Sequence, residues 1–221
     1  MKRIILVGLV FMAQFTFAQT TIALGDFTDL KVFDKLSVTL IASNENKAEI
    51  TGTSQSKVEI VNKNGLLKIR MPLTKMMTGD EAKVTLYFKK IQSIDANEGS
   101  SVICADTFKQ TTFDLGTQEG AQITVSLDVD KTSIKAFSGG IVTVTGKAVT
   151  QSVSINSGGI LKANELETSQ TTVHISAGGS ADIKASMLVD AKVKAGGTVT
   201  IYGKPKELRQ ETLMGGSIIQ K

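Results

Sequence analysis

Apolar and polar residues alternate with a period of two through most of residues 95–221, and glycine interrupts the alternation at regular intervals. Period two is the mark of a strand buried on one face, whereas a helix would repeat every three to four residues. The interruptions share a frame. Single glycines stand in Glu98-Gly99-Ser100 and Glu119-Gly120-Ala121, and pairs follow at Gly139-Gly140, Gly158-Gly159, Gly178-Gly179, Gly196-Gly197 and Gly215-Gly216. Counted from the first glycine of each, the intervals are 21, 19, 19, 20, 18 and 19 residues. Such regularity predicts a solenoid whose repeat is a strand, a glycine corner, a second strand and a variable connection such as Lys147 to Gln151.

The register also predicts the interior. Three residues past each mark stand Val102, Ile123, Val142, Leu161, Ala181, Val199 and Ile218. Five past it come Cys104, Val125, Val144, Ala163, Ile183 and Ile201, with Gln220 breaking the rule in the last turn. Five before it come Ile94, Leu115, Ile134, Val153, Val173 and Ala191. One turn cannot bury its apolar face alone, but turns stacked about 4.8 Å apart form continuous interior ladders. The expected fold is all-β: a single-stranded parallel β-helix, or β-solenoid, with repeats of about 19 residues, right-handed by the general rule for parallel connections. The twelve marked glycines are assigned a structural role, because the corner must turn sharply with positive φ and its neighbours must stack without side chains colliding.

Residues 19–94 are strand-rich but less regular, and are expected to cap the stack or form its first turns within one domain spanning 19–221. Candidate strands are Leu30 to Phe33, Leu36 to Ile41, Ala48 to Thr51, Lys57 to Val61, Leu66 to Met71 and Val84 to Phe88. Asn64-Gly65 reads as a tight turn between two of them. The stretch Pro72 to Ala82, with Met76, Met77, Gly79 and Asp80, is the best candidate for an exposed loop.

Phe27 with Leu30 and Val32, then Val38-Thr39-Leu40, then Val58-Glu59-Ile60 ahead of Asn64-Gly65-Leu66-Leu67-Lys68-Ile69, form a pattern similar to the head GIN domain family of auto-transporter adhesins. Ile91-Gln92-Ser93-Ile94 leading into Glu98-Gly99-Ser100, and the Ser-Gly-Gly repeats beyond, fit the same family. The resemblance spans nearly all of residues 19–221. It implies a β-helical fold and a secreted or envelope location of the kind common in Bacteroidota, and it supplies no catalytic residues.

Residues 1–18 point the same way. Lys2 and Arg3 precede the apolar run from Ile4 to Val10, and Thr16 and Ala18 are the small residues a signal peptidase requires, so a signal peptide is expected to be cleaved before Gln19. The chain should therefore be exported to the periplasm, the outer-membrane surface or the medium. Its formal charge of +4 falls by the two leader positives, leaving too little to recruit nucleic acid.

Composition limits the chemistry. With one cysteine, one histidine and no tryptophan, the chain lacks a disulfide framework and the ligands of a two-histidine zinc site, and no cofactor is expected. His174, between Val173 and Ile175, should point outward, and Cys104 should lie on an interior ladder as a small apolar residue. The repeats also lack the aspartates of calcium-binding nonapeptide solenoids. The one acidic cluster is Asp95, Glu98 and Glu119: the two glutamates share an offset in adjacent turns, where carboxylates could share a proton or a cation. A splayed, solvated corner is the simpler expectation. The outward Thr143, Thr145, Ser154 and Asn156 could hydrogen-bond a glycan. The expected function is a non-catalytic binding or structural module. The alternative is a carbohydrate-active β-helix enzyme or glycan-binding protein. The expected partner is a protein or glycan of the cell envelope or a host surface. The open strand edge at the solenoid's end makes an end-to-end homodimer the natural oligomer.

Overall fold

The computed structural model describes residues 20–221, so the leader assigned to residues 1–18 lies outside the described residues. Its strands are β1 (Thr20–Ala23), β2 (Asp29–Val32), β3 (Ser37–Ala42), β4 (Lys47–Gly52), β5 (Glu59–Lys63), β6 (Leu66–Arg70), β7 (Ala82–Phe88) and β8 (Ser93–Ala96), followed by the long β9 (Ser101–Thr117), β10 (Gln122–Phe137), β11 (Ile141–Asn156), β12 (Ile160–Ser176) and β13 (Ser180–Lys194), and the short β14 (Thr198–Tyr202), β15 (Glu207–Leu213) and β16 (Ser217–Gln220). Each glycine corner joins a strand that enters it to one that leaves it. Entering strands stack in parallel as β6, β2, β8, the second halves of β9 to β13, then β15; leaving strands stack as β7, β3, the first halves of β9 to β13, then β14 and β16. The protein is a parallel β-solenoid.

Every interior ladder named from the register is buried, down to the partly buried Ile218 and the exposed Gln220 of the last level. The corners are tight turns with two successive positive φ values: 53° and 69° at Glu98-Gly99, 49° and 78° at Ser157-Gly158, 50° and 85° at Met214-Gly215. Such turns hold a hydrogen bond from the fourth residue to the first, as from Ser100 N to Asn97 O (3.0 Å) and Gly140 N to Phe137 O (2.8 Å). The corners themselves stack: Gly99 N donates to Glu119 O, Gly120 N to Ser138 O and Gly139 N to Ser157 O.

The far side of each repeat differs from the connection expected there. β9 to β13 run unbroken around it, so Lys147 to Gln151 remains paired strand rather than loop. All of the irregularity in repeat length is absorbed on this side. Register shifts fall between Ile103 and Thr107, Lys162 and Glu165, Asp182 and Lys184, and Ala185 and Leu188, in the repeats of 21, 20 and 18 residues. In the first of these the extra residues carry Phe108 inward, where it stacks on Phe88 (5.4 Å between ring centroids) and meets Phe113 at a tilt (4.4 Å).

The first levels are out of sequence order. β2 and β3 lie between the level made by β6 and β7 and the level made by β8 and β9. Beyond β6 and β7 the stack is closed by antiparallel strands: β5 hairpins onto β6 through Asn64-Gly65 (φ 53° and 80°), while β4 pairs with β7 and β1 with β4. Capping by the N-terminal part is thus realised by reversal of strand direction, and β1 is a strand the alternation did not reveal.

Candidate functional site

The least repetitive surface lies where the level of β6 and β7 has no tight corner. In its place runs the segment 71–81, with short 3-10 turns at Leu73–Lys75 and Gly79–Glu81. Leu73, Met76 and Met77 are exposed there, as the sequence of this loop leads one to expect. Asp34 holds it down. This residue occupies the corner of the next level with φ 61° and is almost fully buried. Its carboxylate accepts hydrogen bonds from Met71 N (3.0 Å) and Met77 N (3.1 Å), and its carbonyl accepts from Gly79 N (2.9 Å). A side chain at Gly79 would collide with that carbonyl, since a Cβ there would lie 2.3 Å from it.

Glu98 stands at the corner of the following level and lines the same pocket as Asp34. Burial, then the charge of Asp34, and more weakly that of Glu119, push Glu98 above the usual carboxylate range. Together the loop and the two acids enclose a pocket of about 210 Å³ with Phe33, Met71, Leu73 and Met76 as its apolar wall and Lys68 and Arg70 at its rim. Arg70 is already paired with Glu59 (3.0 Å).

The structure divides the acidic cluster read from the sequence. Glu98 and Glu119 do occupy stacked corners, but Asp95 projects from the outer face of the entering sheet, where it pairs with Lys31 at 2.8 Å. The residue that joins Glu98 is Asp34, 64 positions earlier. Sequence reasoning missed it because no periodicity links the two; Asp34-Lys35 is a glycine-free corner. No group of three or more acidic, histidine or cysteine residues among the described residues could hold a metal ion. Cys104 lies on its ladder, with burial pushing its thiol up to about 11, against a smaller opposing effect of the Asp106 backbone. His174 is exposed between Ser154 and Lys192.

A parallel β-solenoid with stacked left-handed corners, closed at one end by antiparallel strands, is the class that this geometry defines. The sequence matches the family described as "Putative auto-transporter adhesin, head GIN domain" over residues 26–205, and the chain belongs to that family. No curated protein matches it. Among solved structures, a "putative adhesin" from Bacteroides fragilis superposes with a TM-score of 0.85 at 15% identity, covering 92% of this chain and 96% of that one. A "putative adhesin" from Parabacteroides distasonis gives 0.76 at 20% identity, covering 92% and 96%. A "putative lipid binding protein" from the same species gives 0.68 at 14% identity, covering 91% and 96%. At these identities the likeness is one of fold. No helix among the described residues is long and apolar enough to cross a membrane.

Proposed function

We propose that this protein is an exported, non-catalytic, adhesin-like module of the cell envelope, and that the end carrying the 71–81 loop is its recognition end. Membership of the adhesin family carries the first part of the reading. The second rests on the loop. Every other level closes with a tight two-residue corner, whereas this level spends eleven residues on an exposed apolar segment fastened by Asp34. Anchored loops on a rigid stack are where binding surfaces are usually built. Along the leaving sheet the stacked column Thr39, Ile103, Thr124 and Thr143 adds a regular, mostly hydroxylated face that suits a glycan or an envelope protein.

Two experiments test the reading. Protease shaving of intact cells followed by fractionation should release or degrade the protein from the surface; retention in a strictly periplasmic fraction would remove the direct adhesin role. On a printed glycan array the purified protein should bind without hydrolysis, and the double variant Leu73→Asp, Met76→Asp should lose binding while keeping its circular dichroism. Cleavage of any arrayed glycan that Glu98→Gln abolishes would instead establish the carbohydrate-active alternative.

A further inference from the structure

The two ends of the stack are finished differently. At the loop end, the antiparallel β1, β4 and β5 close the sheets. At the other end, β15 pairs only with β13 and β16 only with β14, so each has a backbone edge without a strand partner among the described residues. The segment Lys204-Pro205-Lys206 does not disrupt this last level. It replaces only the far-side bend, and β15 and β16 continue in full register. Edge strands of this kind ordinarily carry a bulge or a proline, or recruit another strand.

We propose that this edge joins two copies of the chain, β15 to β15 and β16 to β16, both pairs antiparallel about one two-fold axis. The charges on β15 are self-complementary. Antiparallel pairing centred on Gln210 sets Arg209 opposite Glu211 of the second copy and, by symmetry, Glu211 opposite Arg209; Glu207 meets Leu213, and the inward Leu208 meets Thr212. The corner places the second strand at a matching offset. Gln210 lies four residues before Met214 of the corner pair and Ile219 four residues after its partner Gly215, so pairings centred on these two residues sit at equal distances along the chain from the corner. Ile219, 46% exposed, packs against its own copy on the outer face, and Ile218 faces Gln220. Gln210 meets itself across the axis, where one amide can donate while the other accepts. In the single chain Arg209 pairs with Glu207 (2.7 Å) and Glu211 with Lys192 (3.4 Å), exposed contacts that exchange partners at little cost. A two-fold contact of this kind is isologous and closes on itself, whereas stacking one end on the other would give open filaments.

Light scattering and analytical ultracentrifugation of the purified protein test this. The edge is small beside a standard interface, so a dimer that dissociates on dilution is expected. R209E places a carboxylate opposite Glu211 at both positions of the pair and should weaken association roughly tenfold, and E211R should do the same through like positive charges. The double variant R209E/E211R exchanges the partners and should restore the dimer, and mixing the two single variants should yield a heterodimer. Unchanged circular dichroism and melting would show that each variant is folded. A wild type that stays monomeric at the highest concentration, a dimer indifferent to both single reversals, or open-ended filaments would each overturn the proposal.

Discussion

At the corners, the two glycines of a pair answer to different constraints. Gly158 has φ 78° and open space around a would-be Cβ, so only its backbone conformation demands glycine. Gly159 has an ordinary φ, but a Cβ there would lie 2.0 Å from the carbonyl oxygen of Ala136 in the preceding level. Gly158→Ala should therefore cost about 1 kcal/mol, the penalty of a left-handed alanine. Gly159→Ala should cost about 3 kcal/mol or more, because two levels must move apart. Urea unfolding of both variants gives the comparison, and equal losses would contradict it. Glu98 supports a prediction of a different kind. Its carboxyl is raised in the fold by burial and by Asp34, with Glu119 adding to the effect, while Lys35, Lys68 and Arg70 are the cations nearby. The folded chain thus holds the Glu98 proton more tightly than the unfolded chain does. The stability this confers is fully present below the unfolded carboxylate value and is lost as pH rises through the raised folded value. Glu98→Gln keeps the shape of the side chain without the charge. It should raise the melting temperature at neutral pH and flatten its fall between acid and neutral conditions; a lower neutral melting temperature would refute this account.

Among whole strands, the ladders show what alternation can reveal and where it stops. Offsets counted from the corner locate every inward residue near it, because the tight turn fixes the phase of both flanking strands. Asn64-Gly65 locates its hairpin for the same reason. On the far side no such turn exists, and insertions of one to three residues erase the phase. One interior ladder therefore reads as surface: Phe113, Thr132, Gln151, Thr171 and Val189 stack there, and polar residues fill its middle. Part of this row is satisfied. Thr171 Oγ1 donates to Gln151 Oε1 (3.1 Å), and Thr168 Oγ1 lies 2.8 Å from Thr171 Oγ1 and 2.8 Å from Lys184 O. Thr132 Oγ1 and Gln151 Nε2 have no protein partner despite near-complete burial. An unpaired buried hydroxyl costs about 1 kcal/mol or more, so Thr132→Val, which keeps the shape, should stabilise the protein by about 1 kcal/mol. Thermal melting checks the sign. A loss would mean that the hydroxyl is hydrogen-bonded in solution. The candidate site is half legible for the same reason. Glu98 lies on a marked corner and can be read from the repeat, whereas Asp34 meets it through a level inserted out of order.

Across the whole molecule, that inserted level separates two modes of assembly. From β10 onward each level pairs only with its neighbours in sequence, so stability should accumulate level by level in the manner of a repeat protein. The first levels cannot form this way. β2 and β3 find partners on one side only when β6 and β7 have folded back, and on the other only when β8 and β9 have followed. Closing such loops is slow, yet the product is a sandwiched level with covered strands on both sides, topped by reversed strands that leave no parallel edge. The opposite end has a single neighbour and inward residues, Gln210, Thr212 and Gln220, that contribute little burial. Local opening should therefore begin at β15 and β16 and advance toward the middle, while β2 and β3 open only with the whole fold. Hydrogen exchange followed by mass spectrometry in dilute solution should show the amides of residues 207–220 exchanging fastest and those of β2, β3 and β10 to β12 slowest. A concentrated sample should slow residues 207–220 alone, since only there would a second chain add hydrogen bonds. If residues 29–42 instead exchange as fast as the open end, the inserted level is not the closed element that its pairing describes.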